Sequence, residues 1–141
     1  MKQARLAIGN TIAEMARVAE FVDRFGAAHG LAKAIVDNLN LCLDELLNNT
    51  ISYGYEDQAE HNIAIGLSIA DGLLTVEIRD DARPFDPRKP TPAAVGDSLQ
   101  ARKLGGLGLQ FVKNLMDDLD YRRIDGTNVV RISKKLGAEA G

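Results

Sequence analysis

Residues 43–55 read LDELLNNTISYGY, and this stretch decides how the rest of the chain is interpreted. Its apolar residues continue a three-to-four-residue period that begins at Leu31, which predicts a long amphipathic helix that ends near Tyr53. Glu45 and Asn49 lie four residues apart, so their side chains project from one face of that helix. A carboxylate and a carboxamide are therefore available to a single site.

The chemistry of this pair suits a bound phosphate. An asparagine carbonyl is a hard oxygen ligand for Mg²⁺, and a carboxylate one turn earlier can accept a proton from a hydroxyl near the phosphate. The alternative is that Asp44, Glu45, Asn48 and Asn49 form only a solvated helix face. Adjacent asparagines are poor helix formers, so their presence in a helix needs an explanation. A binding role is one explanation, and termination of the helix before Gly54 is another.

The remaining pattern predicts further helices and two β-hairpins. The predicted elements are a strand at 6–8, helices at 12–25 and 109–119, and hairpins with arms at 63–69 and 74–78 and at 120–124 and 127–133. Each hairpin turns at an Asp-Gly pair, Asp71-Gly72 or Asp125-Gly126, which tolerates positive φ. Because strands and helices do not alternate as βαβ units, we expect an α/β two-layer sandwich, with a mostly antiparallel mixed sheet and helices on one face.

The composition is that of one globular domain over residues 1–141. Of the 141 residues, 45% are hydrophobic and 26% charged, which is enough apolar material for a single core. A formal net charge of −3 argues against nucleic acid or anionic lipid as a direct partner. No apolar run is long enough to span a membrane, and the one cysteine, Cys42, suits a reducing compartment as a buried thiol. We therefore expect a cytoplasmic protein.

A second candidate site follows the strand predicted at 74–78, where residues 76–87 read VEIRDDARPFDP. A carboxylate at a strand end can accept a hydrogen bond from an exocyclic amine, and a charged acceptor contributes about 1.5 to 3 kcal/mol to such a contact. Adenine has an amine of this kind at N6. An ordinary turn before Pro84 is the alternative.

A third candidate site is the segment 103–109, KLGGLGL, at the start of the last predicted helix. Glycines allow the backbone to approach a ligand closely, and the unpaired N–H groups of a helix N-terminus favour phosphate. A flexible hinge without a ligand is the alternative. Each of the three segments is weak evidence alone, and their order along the chain is more specific.

That order resembles the Bergerat-type ATP-binding fold of gyrase, histidine kinases and MutL, the GHKL superfamily. The resemblance extends over roughly residues 31–136. Within the superfamily, the chain is similar to the anti-sigma-factor serine/threonine kinases of the RsbW and SpoIIAB type. The stretches that carry this closer resemblance are 44–49, 53–55, 80–87, 105–109, 115–117, 121–123 and 126–129.

The resemblance implies a role for individual residues. Glu45 would be the catalytic base toward a serine or threonine hydroxyl, Asn49 would coordinate Mg²⁺, and Asp80 would bind the adenine amine of ATP. Two further segments supply the other implied ATP-binding residues. In the segment 80–87, called the acidic turn below, they are Ala82, Pro84 and Phe85. Around the segment 105–109, called the glycine turn below, they are Arg102, Lys103, Gly105, Gly106, Leu107, Gly108 and Leu109. Residues 88–104 would form a mobile lid over ATP, as their length and composition permit. For the two basic residues, a solvated surface charge is the alternative.

One part of the chain departs from the superfamily pattern. The aspartate turn usually has the form Asp-x-Gly-x-Gly, whereas Ala82 and Pro84 occupy the two glycine positions here. Ala82 adds a methyl group near the base and requires a backbone conformation that alanine can adopt. Nucleotide binding is therefore less firmly implied than the fold.

The resemblance also implies a function and partners. The chain would phosphorylate a STAS-domain anti-anti-sigma protein, sequester a sigma factor when it is unoccupied, and form a homodimer. One alternative is a non-catalytic partner-binding module, with or without ATP. Another is a detached catalytic domain of a histidine kinase, which the histidines disfavour, since His29 has the pattern of a helix-end residue and His61 that of plain loop.

Overall fold

The computed structural model describes residues 2–57, 59–88 and 108–137. In chain order the elements are β1 (Lys2–Gly9), a 3-10 turn (Ile12–Glu14), α1 (Met15–His29), α2 (Lys33–Tyr53), β2 (Asn62–Ala70), β3 (Leu73–Asp80), α3 (Gly108–Leu115), β4 (Asp118–Ile124) and β5 (Thr127–Lys135). The predicted succession of helices and hairpins is therefore confirmed. Among the described helices, none combines the length and the apolar character that crossing a membrane would require.

The strands form one sheet in the order β1-β2-β3-β5-β4. Every pairing between described strands is antiparallel, so the expected two-layer fold is confirmed, while the parallel pairing that a mixed sheet would contain does not occur among them. Both hairpin turns have the positive φ values expected of Asp-Gly pairs, 53° and 74° at Asp71 and Gly72 and 49° and 77° at Asp125 and Gly126. The pairing of β3 with β5 joins the two hairpins into one layer.

One face of the sheet is covered by the helices, as burial along the strands shows. In β2, Ile63, Ile65 and Leu67 are at most 1% exposed, whereas the residues between them are not buried. Since side chains alternate between the two faces of a strand, a polar residue in register with the buried set must find its partners in the interior. Asp80 of β3 and Asn128 of β5 are the polar residues in this position, at 5% and 3% exposure.

The first helix ends later than the sequence predicts. The prediction stops at Gly26, whereas α1 continues to His29 and ends at Gly30, whose φ of 68° is left-handed. Gly26 lies where α1 and α2 approach each other, because a methyl group there would be 2.5 Å from Cγ2 of Val36. The glycine therefore permits close helix packing, and Gly30 supplies the termination. The expectation that His29 is a helix-end residue is confirmed, and its ring contacts that of Phe25 edge-on.

The last helix ends earlier than predicted. The pattern extends to Leu119, but α3 ends at Leu115 and Leu119 belongs to β4. The N–H of Asp117 donates to the carbonyl of Ser133 at 2.8 Å, so the chain has already joined the sheet there. The apolar period continues in sequence past the end of the helix because a strand residue, Leu119, packs against the same core.

The expected role of Cys42 as a buried thiol is confirmed. Cys42 lies in α2 with no exposed surface, among the apolar residues of the core. Burial raises the pKa of its thiol to about 11. A thiol that is enclosed and protonated at neutral pH is unreactive, so Cys42 fills space in the core.

Candidate functional site

Asp80, the last residue of β3, is a buried carboxylate with one oxygen fully engaged. Its Oδ1 accepts hydrogen bonds from the backbone N–H of Ala82 at 3.1 Å and from Nδ2 of Asn128 at 2.9 Å. Burial raises the pKa of the Asp80 carboxyl, against the lowering effect of these two hydrogen bonds. Within the described ranges Oδ2 accepts no hydrogen bond, so it is available to a donor from a ligand.

Asn128 holds the turn that follows β3. Its Nδ2 also lies 2.9 Å from the carbonyl oxygen of Arg83 and 3.2 Å from that of Ala82. Its Oδ1 accepts hydrogen bonds from the Tyr121 hydroxyl at 2.6 Å and from Nη1 of Arg123 at 2.9 Å. The same guanidinium nitrogen donates to the carbonyl of Ala82 at 2.7 Å. The β4–β5 hairpin therefore fixes the turn on one side.

On its other side this turn packs against the C-terminal end of α2. The N–H of Arg83 donates to the carbonyl of Gly54 at 2.9 Å, and a methyl group at Gly54 would be 2.8 Å from Cβ of Ala82. Ala82 is 3% exposed, and its φ is not among the positive values found in the described residues. Alanine can therefore adopt the backbone conformation of this position. The close contact between the turn and the end of α2 requires glycine at residue 54.

Replacing Gly54 by alanine should lower the free energy of unfolding by about 1 to 3 kcal/mol, the usual cost of overpacking. The added methyl group would lie 2.5 Å from the Thr50 carbonyl oxygen and 2.8 Å from Cβ of Ala82, so the helix end or the turn must shift. Urea denaturation measures the change. Gly66→Ala is the matched control, because a methyl group there meets no atom within 4 Å. Equal losses in the two variants would contradict the packing explanation.

Asn49 is a buried amide of α2 at 7% exposure. Its Nδ2 is enclosed and has no hydrogen-bond partner among the described residues. Leaving a buried donor unpaired costs about 1 to 3 kcal/mol, so such a group is typical of a position that a ligand completes. The donor set fits the expected role, since a carboxamide offers an oxygen to Mg²⁺ and an N–H to a phosphate.

Glu45 lies one turn before Asn49 on the same helix and is half-buried. No hydrogen bond or ion pair joins its carboxylate to the part of the chain that the structure describes. Partial burial raises the pKa of this carboxyl, and the neighbouring charge of Asp44 raises it further. A carboxylate with a raised pKa accepts protons more readily at neutral pH than an ordinary surface carboxylate does.

The other predicted site residues lie only partly within the described ranges. Pro84 is exposed, and Phe85 is partly buried against the core. Gly108 and Leu109 begin α3, which packs on α2. The predicted residues outside the described ranges are Arg102, Lys103, Gly105, Gly106 and Leu107, together with lid positions 89–104. The glycine turn and the lid therefore stay predictions.

A cluster around His61 lies beside the acidic turn and was not predicted. Nε2 of His61 is 2.8 Å from Oδ1 of Asp57, and Nδ1 is 2.9 Å from Oδ2 of Asp81. The imidazole stacks on the ring of Tyr55 with the centroids 4.4 Å apart. Hydrogen bonds to Asp81 and to Asp57 raise the pKa of His61. His61 is in a loop, as expected, but it connects that loop to the residue next to Asp80.

The stabilising effect of His61 should depend on pH. Its folded-state pKa lies above the ordinary value of 6.5, so its contribution is complete below that pH and is lost as pH rises through the folded-state pKa. The pKa of Asp57 is lowered, mainly by its hydrogen bond with His61, so this carboxylate stays ionised throughout. His61→Gln should therefore reduce the free energy of unfolding at about pH 6 and much less at about pH 9. Urea denaturation at both pH values tests this, and a deficit independent of pH would contradict it.

Asn128 was not predicted as a site residue, although the sequence contains a signal for it. Asn128 shares one face of its strand with Val130 and Ile132, both of which are buried. A polar residue within such an apolar series indicates a buried, hydrogen-bonded group. For His61 the local signal is weak, since Asp57 lies four residues away in a loop, and the contact with Asp81 depends on the tertiary structure.

Comparison with known proteins gives a family and named relatives. The sequence model of the family described as "Histidine kinase-like ATPase domain" matches residues 8–134. "Serine-protein kinase RsbW" of Listeria innocua serovar 6a is 27% identical over 105 residues, which cover 72% of this chain and 67% of that protein. "Anti-sigma F factor" of Clostridium botulinum is 26% identical over 103 residues, which cover 72% of this chain and 71% of that protein.

A solved structure shares the fold. The crystal structure of the RsbU and RsbW domains of Rv1364c from Mycobacterium tuberculosis superimposes with a TM-score of 0.69 at 14% sequence identity. The match covers 96% of this chain and 32% of that one, so the chain spans about a third of the two-domain structure. At this identity the likeness concerns the fold alone.

Proposed function

This chain belongs to the histidine kinase-like ATPase domain family, and on that premise we propose that it is a Mg²⁺- and ATP-dependent serine/threonine protein kinase that acts as an anti-sigma factor. The buried carboxylate of Asp80 carries the proposal. Its Oδ1 is held by two N–H donors, while Oδ2 accepts no hydrogen bond from the described residues. A fixed acceptor of this kind favours a ligand that offers a donor, as the amine of adenine does.

Two residues of α2 would serve the phosphate end of the nucleotide. Asn49 would hold Mg²⁺ through its carboxamide oxygen, and the bound ion would neutralise charge on the phosphates. Glu45 would accept the proton of the attacking serine or threonine hydroxyl, for which its half-buried position and raised pKa are suited. Phosphoryl transfer depends on positioning and charge neutralisation more than on covalent participation by the protein, so this small set of groups is sufficient.

The remainder of the proposed pocket lies around the glycine turn. Gly108 is the first residue of α3, and the backbone N–H groups of a helix N-terminus favour phosphate. Gly105 and Gly106 would extend this cradle, and residues 88–104 would close over ATP with Arg102 and Lys103 near the phosphates. The packing of α3 on α2 is consistent with one pocket that includes Asn49.

The names of two relatives support protein partners. One relative is called a serine-protein kinase and another an anti-sigma factor, which supports transfer to a serine and a sigma factor as the sequestered partner. The STAS-domain protein is proposed as phosphate acceptor from the family resemblance of the sequence. We propose a cytoplasmic homodimer. The net charge of −3 supports control of transcription through protein partners rather than through direct contact with nucleic acid.

Calorimetric titration with MgATP, followed by a transfer assay, tests the proposal. We expect saturable binding of MgATP and transfer of radiolabelled phosphate to a serine or threonine of a STAS-domain protein from the same organism. A pull-down from native lysate with and without MgATP identifies the partners. Absence of MgATP binding would exclude the kinase, and binding without transfer to any recovered partner would favour the non-catalytic module.

The partner-binding module is the second candidate, because Ala82 occupies a position at which the superfamily usually has glycine. Alanine at this position is nonetheless compatible with the proposed nucleotide site, since its methyl group packs against Gly54 on a backbone that alanine can adopt. A detached histidine-kinase domain is less well supported. His29 packs on Phe25 at a helix end, and His61 is engaged by two carboxylates.

A further inference from the structure

The surroundings of Asn128 permit only one orientation of its side-chain amide. Nδ2 faces three oxygens, those of the Asp80 carboxylate and of the Ala82 and Arg83 carbonyls, and Oδ1 faces two donors, the Tyr121 hydroxyl and Nη1 of Arg123. A half-turn of the amide would place an N–H group against the Arg123 guanidinium, which can only donate, and its oxygen against three acceptors. The donor of Asn128 is therefore always directed at Asp80.

This orientation determines which oxygen of Asp80 is used inside the protein. Nδ2 of Asn128 and the N–H of Ala82 both donate to Oδ1, at 2.9 and 3.1 Å, so that oxygen and the plane of the carboxylate are fixed. Both contacts require Asp80 to act as an acceptor. Oδ2 is the atom left to a ligand, and no donor from the described residues competes for it.

We infer that Asn128 is a positioning residue that sets base selectivity, by holding Oδ1 of Asp80 so that Oδ2 accepts from the amine of a 6-aminopurine. The inference rests on the proposed function, because it concerns the same pocket. A 6-oxopurine presents an oxygen where adenine presents an amine, so it would lose the hydrogen bond and bring two acceptors together. In this inference Asn128 acts through its hydrogen bond to Asp80.

Two variants of equal shape test the inference. Asn128→Thr keeps one O–H donor, whereas Asn128→Val has a methyl group in its place, and both side chains suit a strand. Calorimetry gives the ratio of dissociation constants for IDP, a 6-oxopurine nucleotide, and ADP. We expect a wild-type preference for ADP of about tenfold or more, reduced about tenfold in the valine variant and less in the threonine variant, whose donor is one bond nearer the backbone than Nδ2 of asparagine. Thermal unfolding should show the valine variant to be no less stable than the threonine variant, because valine buries no hydroxyl.

Two further variants complete the test. Tyr121→Phe removes a donor to Oδ1 of Asn128 but leaves the contact with Asp80, so it should keep the preference for ADP. If the valine variant does not fold, Asn128→Asp is the closest isostere; it replaces the donor by an acceptor and should weaken ADP binding by about tenfold or more. If either the valine or the aspartate variant kept the wild-type preference for ADP over IDP, this inference would be overturned and the proposed function would not. A wild-type protein that binds neither ADP nor IDP would overturn the proposed function as well.

Discussion

Replacing Glu45 by glutamine should lower phosphoryl transfer about 10² to 10⁴-fold, the range usually lost with a general base. Glutamine has nearly the same shape as glutamate but cannot accept the hydroxyl proton. Because no hydrogen bond of Glu45 to the described residues is lost, the fold and the affinity for MgATP should stay close to those of the wild type. Transfer of radiolabelled phosphate and calorimetric titration with MgATP measure the two quantities separately.

Asp44→Asn is the matched control for this experiment. Asp44 is the exposed neighbour of Glu45 on α2, and its substitution removes the same charge. Transfer at neutral pH should be retained. Since the charge of Asp44 helps to raise the pKa of Glu45, its removal lowers that pKa. A base loses activity as pH falls through its pKa, so the acidic limb of the rate profile should move to lower pH. Equal transfer rates in wild type and Glu45→Gln would remove Glu45 from the mechanism.

Replacing Asp80 by asparagine should weaken ATP binding by about 10- to 150-fold, equivalent to the 1.5 to 3 kcal/mol of a hydrogen bond with a charged group. The carboxamide oxygen can still accept from Ala82 and Asn128, so the amide nitrogen takes the position of Oδ2. A donor then faces the donor of adenine. Calorimetric titration with ATP measures the loss.

The same substitution should leave the fold intact, which separates binding from stability. Burial raises the pKa of Asp80, so the folded state disfavours its ionised form at neutral pH, and a neutral amide removes that cost. The free energy of unfolding should therefore be unchanged or higher. Asp71→Asn is the control, because Asp71 is exposed in a turn with a φ of 53°, a conformation that asparagine adopts readily. Unfolding of the Asp80 variant, or equal loss of ATP affinity in the control, would contradict this account.

The candidate site was predicted to different extents along the chain. Asp80 and Asn49 were identified from the sequence, and the structure shows both to be buried polar groups. Their roles in ATP binding remain predictions. Asn128 and Gly54 were not identified as parts of the site, because each acts through a contact with a residue far away in sequence. Asp80 and Asn128 are 48 residues apart, and their hydrogen bond depends on the pairing of β3 with β5.

By itself the sequence determined the elements of this protein and their order. Amphipathic periodicity and Asp-Gly turns act over a few residues, so they identified the long helix that bears Glu45 and Asn49 and both hairpins. Tertiary structure decided where those elements meet. It places β3 beside β5, brings α1 and α2 close together at Gly26, and packs Ala82 against Gly54. These outcomes depend on strand register and on steric fit between distant segments, which short-range patterns do not encode.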